Sequence, residues 1–159
     1  MIAAMTDPMD RQETPAPLRT LPSRLLALVA SHADRIVSEG LATADARKWH
    51  YAALVALRES GPMSQAELSR RTGIYRSDLV AVINELSARG FVERAPDPGD
   101  RRRNVVTMTT AGRSHLERLD KLIADLQDTL LAPLTDAERE EFTRSLGRLL
   151  AHHTRSELR

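Results

Sequence analysis

The sequence has no cysteine, so disulfide bonds, thiolate metal sites and cysteine-based redox sensing are excluded. Long apolar runs are missing as well: the longest candidate, residues 25–30, is far shorter than the roughly 20 residues of a membrane-spanning helix. Residues 1–20 carry three acids and three prolines where a secretory signal would have an apolar segment. We therefore predict a cytoplasmic protein without membrane contact, with a flexible tail over residues 1–20.

Motifs of catalysis are also absent from the sequence. It contains no G-x-S-x-G, no H-E-x-x-H and no glycine-rich phosphate-binding loop, although it has seven glycines. Its five histidines share no helical spacing that suits metal ligands. The sequence therefore predicts a protein that is not an enzyme and has neither a metal site nor a cofactor.

The net charge is only +1, so the overall balance does not indicate nucleic-acid binding. The 23 basic residues nevertheless include just two lysines, and the rest are arginines, whose planar guanidinium matches phosphate groups and guanine edges. A genome of high GC content would produce the same bias. The positions of the arginines are therefore more informative than their number.

The spacing of apolar residues predicts six helices and one β-hairpin in a single domain over residues 21–159. Gly40 is expected to end the first helix, and Trp49 to lie on the apolar face of the second. The predicted class is mainly α with a small β-hairpin (α+β), in which a winged helix-turn-helix over 46–108 is flanked by N- and C-terminal helices. The helices are expected at 21–40, 46–59, 64–71, 75–88, 110–131 and from 135 onward, and the strands at 91–94 and 104–108.

Two predicted helices joined by a tight turn, 64–71 and 75–88, have the spacing of a helix-turn-helix, whose second helix fits the major groove of DNA. Arg76 could pair with guanine, and Asp78 could accept from cytosine or only stabilise the helix N-terminus. Asn84 could read adenine or hold a phosphate. The residues expected to contact DNA in this part are Ser64, Gln65, Arg70, Arg71, Tyr75, Arg76, Ser77, Asp78 and Asn84.

Three consecutive arginines, Arg101, Arg102 and Arg103, follow Asp100 at the predicted turn of the hairpin. Arginines on a narrow hairpin can enter an adjacent minor groove, where the negative potential is concentrated. A charge run alone would usually be a solvated surface, but this one lies beside a helix-turn-helix. We therefore predict that the hairpin is a DNA-binding wing.

These motifs resemble the MarR family of bacterial transcriptional regulators, whose wing signature is D-x-R, five residues, then L-T. Here Asp100-Arg101-Arg102 is followed, after five residues, by Met108-Thr109, with methionine in place of leucine. Residues 84–94 and 109–113 also match the family's flanking pattern. The resemblance implies that Arg102 enters the minor groove and that Asp100 holds the wing arginines in place.

The first and the last two long helices carry more apolar surface than the winged helix can cover, and such patches usually mark interfaces. The resemblance implies a two-fold homodimer built from residues 21–40 and 110–154, which suits a palindromic operator; an intramolecular helical bundle is the alternative. It also implies a small aromatic or anionic effector, expected near His32, Arg47, Trp49 and His50. Trp49 could instead be core and His50 surface.

The predicted function is therefore that of a homodimeric regulator that binds double-stranded DNA at a pseudo-palindromic operator, with ligand-responsive repression implied by the resemblance. The alternative is a winged-helix protein-interaction module without specific DNA binding. Such a module would not need three arginines at the tip of its wing.

Overall fold

The computed structural model describes residues 14–157 and confirms the mainly helical fold with one β-hairpin. The predicted tail lies outside the described residues up to position 13, and its remaining part contains the one-turn helix α1. Over the described range, every helix is too short or too polar to cross a bilayer. The elements are α1 (Ala16–Arg19), α2 (Pro22–Ala42), α3 (Lys48–Ser60), α4 (Gln65–Thr72), α5 (Arg76–Ala88), β1 (Val92–Asp97), β2 (Asp100–Met108), α6 (Thr110–Leu130) and α7 (Asp136–Glu157).

Local chemistry fixes the two helices of the helix-turn-helix. The hydroxyl of Ser64 accepts the backbone N–H of Glu67 at 3.2 Å and so caps the start of α4. α4 ends at Gly73, whose φ of 71° is in the left-handed region that favours glycine. Ile74 is buried in the turn that follows, so the chain enters α5 at a fixed angle.

The core lies between this helix pair, α3 and the base of the hairpin. Leu79, Val82, Ile83 and Leu86 form the buried stripe of α5 that the sequence predicts. They belong to one apolar cluster with residues of α3, α4, both strands and α6. The opposite side of α5 is therefore left facing solvent, because a single helix buries only one stripe.

The hairpin is longer than predicted. β1 and β2 pair antiparallel from Val92↔Met108 to Pro96↔Asn104, and the Asp97 carboxylate closes the turn by accepting the N–H of Gly99 at 2.9 Å. Two backbone hydrogen bonds between Met63 and Val106 (3.2 and 2.8 Å) attach its base to the segment before α4. Arg101–Arg103 belong to β2 but have no partner in β1, because the register shifts between Pro96, which is opposite Asn104, and Asp97, which is opposite Asp100.

The other long helices lie outside the unit formed by α3, α4, α5 and the hairpin, which is called the lobe below. α2 packs against α6 and continues to Ala42, so the prediction that Gly40 ends the helix is wrong. A Cβ at Gly40 would lie 2.4 Å from Leu126 Cδ2, so glycine here allows α2 and α6 to approach closely. None of the side chains described in α7 is buried.

Candidate nucleic-acid interface

The first turn of α5 is exposed. Tyr75, Arg76, Ser77 and Asp78 all face solvent, and the Tyr75 side chain is 79% exposed. Tyr75 is also the N-cap residue and gives the helix no side-chain cap. The first N–H groups of α5 therefore point out beside Arg76, an arrangement that suits anions.

The four residues in and just before α4 that the sequence predicts to contact DNA differ in how freely they can move. Ser64 and Gln65 are half-buried, and the Ser64 hydroxyl is occupied as the cap. The Arg71 guanidinium donates to Glu67 Oε1 at 3.2 Å and to the Ser60 hydroxyl at 2.9 Å. The Arg70 side chain is 75% exposed, and its closest approach to the Glu67 carboxylate, 3.6 Å, is longer than either hydrogen bond of Arg71. Arg70 is therefore the freer of the two arginines.

Asn84 lies farther along α5 and is exposed, but it is not isolated. Arg94 of β1 donates from Nη2 to Asn84 Oδ1 at 2.7 Å and from Nε to Gln65 Oε1 at 3.3 Å. The sequence did not single out Arg94, because its two partners, Asn84 and Gln65, are 10 and 29 residues away along the chain.

The arginines of the wing are solvent-exposed at Arg101, Arg102 and Arg103. Within residues 14–157, no carboxylate forms an ion pair with any of them. Asp100 accepts the backbone N–H of Arg102 at 3.1 Å, so it fixes the main chain of the strand and leaves the guanidinium groups free. The wing thus presents three uncompensated positive charges.

The candidate effector residues are arranged differently from the expectation. Trp49 is 47% exposed, whereas His50 is 5% exposed and takes the place on the buried face of α3 that was predicted for Trp49. His32 is exposed and lies within 3.2 Å of Arg35 one turn away. The prediction for Trp49 was wrong: His50 is the residue that joins Ala53, Leu54 and Leu57 on the buried face, and the Arg47 N–H donates to its Nδ1 at 3.1 Å.

His50 connects the start of α3 to Glu85 of α5. Since Nδ1 accepts from Arg47, the neutral ring carries its proton on Nε2, which lies 2.6 Å from Glu85 Oε2. The guanidinium of Arg47 also contacts this carboxylate. Burial lowers the pKa of His50, and the bonds from Arg47 and His50 lower the pKa of Glu85.

An open cleft of about 480 Å³ surrounds this contact. Arg47 and His50 line it, whereas His32 and Trp49 do not. The remaining lining residues are Ala42, Asp45, Ala46, Glu85, Ala88 and Arg89. Over the described residues, no three His, Asp or Glu side chains lie close enough to hold a metal ion.

A second buried histidine lies in α6, beside the residue that precedes β1. His115 of α6 is 3% exposed and stacks on Phe91, with ring centroids 4.2 Å apart and planes within 8°. Its Nε2 is buried with no hydrogen-bond partner among the described residues. Burial lowers its pKa, with the nearby Arg89 as the next cause. The histidine is therefore held in its neutral form.

An apolar groove of about 460 Å³ separates the start of α2 from α7. Leu25, Leu26 and Val29 on one side are 43–47% exposed, and Leu149 on the other is 51% exposed. Phe142 and Leu146 also line it. A groove of this composition has the features of an interface that another chain covers.

Comparison with known proteins gives a consistent result. The model of the MarR family matches residues 40–103. The HTH-type transcriptional repressor NicR of Pseudomonas putida is 34% identical over 89 residues, which is 56% of each chain. The multiple antibiotic resistance protein MarR of Escherichia coli is 29% identical over 116 residues, 72% of this chain and 81% of the relative. The chain thus spans about half the length of NicR and a larger share of MarR.

Solved structures extend the similarity to nearly the whole fold. A probable transcriptional regulator from Pseudomonas aeruginosa has a TM-score of 0.72 and 30% identity, covering 83% of this chain and 98% of that one. A mutant MarR from E. coli complexed with operator DNA has a TM-score of 0.70 and 27% identity, covering 86% and 99%. PcaV from Streptomyces coelicolor, in complex with its natural ligand, has a TM-score of 0.70 and 26% identity, covering 87% and 97%.

Proposed function

The chain belongs to the MarR family of winged helix-turn-helix transcriptional regulators, and from this premise we propose that it is a sequence-specific regulator that binds a pseudo-palindromic operator as a homodimer. The observation that carries the proposal is the pairing, on one lobe, of the exposed first turn of α5 with the uncompensated arginines of the wing. A helix fits the major groove, and arginine suits the narrow minor groove. Relatives that are named repressors favour repression.

In the proposed complex, Arg76, Ser77 and Asp78 face the edges of the bases. Arg102 enters the minor groove, and Asp100 acts by fixing the backbone of that strand. These assignments rest on exposure and on position within each element. The other contacts are made with the DNA backbone, by Ser64, Gln65, Arg70, Arg71, Tyr75, Arg101 and Arg103.

The proposed dimer uses the apolar groove between α2 and α7. An α7 without a buried side chain would be poorly stabilised in an isolated chain, and a second copy can cover it. Residues 46–108 would then form the DNA-binding lobe, and 21–40 and 110–154 the dimerisation region. A two-fold axis would place two recognition helices about one helical turn of DNA apart.

The proposed effector site is the cleft at Arg47 and His50. The structure of PcaV with its natural ligand supports a small-molecule effector in this chain as well. An anionic ligand would compete with Glu85 for Arg47, and since Glu85 belongs to α5, the proposed recognition helix, binding would shift the population of positions that this helix adopts. Regulation of this kind places the protein in the cytoplasm, with the DNA.

The test is DNA binding by the full chain, measured by fluorescence anisotropy against duplexes that tile the region upstream of its own gene. We expect a preferred duplex whose affinity falls steeply as salt rises, because phosphate contacts release counterions. Arg102→Ala should weaken binding, whereas Arg155→Ala, with the same loss of charge in α7, should not. A pure dimer that binds none of the duplexes would overturn the proposal of a DNA-binding regulator and favour a protein-interaction module. Equal effects of the two substitutions would overturn the assignment of the wing.

A further inference from the structure

Gln65, Asn84 and Arg94 form a cluster, here named the donor cluster, that joins the start of α4, the third turn of α5 and β1. The Arg94 guanidinium contacts Asn84 at 2.7 Å and Gln65 at 3.3 Å. Asn84 and Arg94 are exposed and Gln65 is half-buried, so the cluster lies at the surface of the lobe. The contacts assign an orientation to both amides.

That orientation follows from the chemistry of arginine. A guanidinium has five N–H donors and no acceptor, so each amide must turn its oxygen toward it. Oδ1 of Asn84 and Oε1 of Gln65 are therefore engaged, and the two NH₂ groups remain to meet a partner. The donor cluster thus offers amide and guanidinium N–H groups together with one positive charge.

These N–H donors and their positive charge suit a partner that has only acceptors and is negatively charged. A DNA phosphate meets both conditions. Adenine fits less well, because its major-groove edge presents an acceptor and a donor side by side. Reading that edge would require the Asn84 oxygen that Arg94 already engages through a charge-assisted hydrogen bond.

The position of Asn84 along α5 supports the same partner. It is eight residues after Arg76, so it lies about 12 Å farther along the helix axis at 1.5 Å per residue. The major groove is about 12 Å wide. When the first turn of α5 reaches the bases, the third turn is therefore near the edge of the groove, where the sugar-phosphate backbone runs.

Neighbouring carboxylates do not neutralise this surface. Glu85 follows Asn84 in the sequence, but its carboxylate is held by Arg47 and His50 on the side toward α3. Glu93 precedes Arg94, and successive side chains of a strand point to opposite faces. The charge of the donor cluster is therefore left to an external anion.

We propose that Gln65, Asn84 and Arg94 form a binding site for one phosphate of the DNA backbone, and that Asn84 contributes affinity without reading a base. This inference rests on the proposed DNA binding and adds Arg94 to the contact surface. It also decides between the two roles that the sequence left open for Asn84. The site contributes the same binding free energy whatever the DNA sequence.

The experiment measures binding of the full-length protein to its preferred duplex and to a scrambled duplex of equal length, over a range of salt concentrations. Arg94→Ala should weaken binding to both duplexes by the same factor, about tenfold. It should also reduce the slope of log affinity against log salt by about one. Arg94→Lys should keep the slope, because the charge remains, and recover only part of the affinity. Arg155→Ala is the control for loss of an arginine.

Asn84→Ala supplies a second, independent readout on operators that carry single base-pair changes. The same loss on every operator is expected for a phosphate contact. A loss that disappears at one changed base pair would mean that Asn84 reads that base and would overturn the inference. An unchanged salt slope in Arg94→Ala would also overturn it, since a residue that only orients α5 would alter base preference and not the slope. Wild-type protein that binds neither duplex would instead overturn the proposed function, and the inference with it.

Discussion

Gly112 provides a sharp test of the packing between the wing and α6. A Cβ at this position would lie 2.0 Å from the backbone oxygen of Phe91 and 3.0 Å from Met108 Cγ. Real Cβ atoms essentially never come closer than 3.0 Å to such atoms, so Gly112→Ala must move two backbone segments apart by about 1 Å. The movement would also stretch the 3.0 Å hydrogen bond from the Thr109 N–H to Phe91 O.

The expected cost follows from three contributions. Overpacking costs about 1–3 kcal/mol, and a weakened hydrogen bond costs about 1 kcal/mol. Alanine regains about 1 kcal/mol because it is the better helix former. The net result is a loss of about 1–3 kcal/mol in the free energy of unfolding, which corresponds to a Tm lower by about 3–10 °C in a chain of this size.

Urea and thermal denaturation followed by circular dichroism, at one protein concentration, measure the change. Two other helical glycines serve as controls. A Cβ at Gly147 meets nothing within 4 Å, so Gly147→Ala should be neutral or stabilising, while Gly40→Ala should be intermediate because only the flexible end of Leu126 must move. Gly112→Ala protein as stable as the wild type would refute the reasoning about close approach.

Two further predictions concern groups at the junction of the lobe and the long helices. Burial lowers the pKa of His50 and of His115 below the ordinary value of 6.5, so the folded protein keeps both neutral while the unfolded chain binds protons near that pH. The free energy of unfolding is therefore highest above pH 6.5 and falls as the pH drops toward the pKa values of the two histidines in the folded protein. Urea unfolding should give a lower free energy at pH 5.5 than at pH 7.5. An unchanged free energy would count against buried neutral histidines. Tyr51→Phe removes the hydroxyl that donates to Asp120 at 2.9 Å, and should cost about 1 kcal/mol in the same measurement; no loss would mean that water replaces the bond.

The order and type of the main elements could be predicted from the sequence because they depend on local signals. The stripe of α5 repeats at helical spacing, Ser64 is a strong cap, and the turn residues between the strands are typical of a hairpin. The predicted strands are too short because β1 continues through Ala95 and Pro96, which pair with Val105 and Asn104, and β2 reaches back to Asp100, opposite Asp97. Polarity alone cannot show that such residues are paired.

The less predictable parts of the site depend on contacts between distant residues. His50 lies at positions i, i+3, i+4 and i+7 with Ala53, Leu54 and Leu57, so its spacing alone indicated burial, but Trp49 is the more apolar neighbour. The partner that makes burial of His50 acceptable, Glu85, is 35 residues away. Arg94 was missed for the same reason, since it lies in β1 and its partners are on α4 and α5.

The hairpin also has a consequence for how the regulator can diverge. Its base is anchored at Val106, which is 1% exposed and bonded to Met63, whereas Arg101–Arg103 are exposed and contribute nothing to the core. Substitutions at the tip should therefore change stability by no more than about 0.5 kcal/mol. Selection can consequently vary the residues that are proposed to contact DNA almost independently of the residues that keep the chain folded, so that duplicated copies could acquire new operators without first gaining stability.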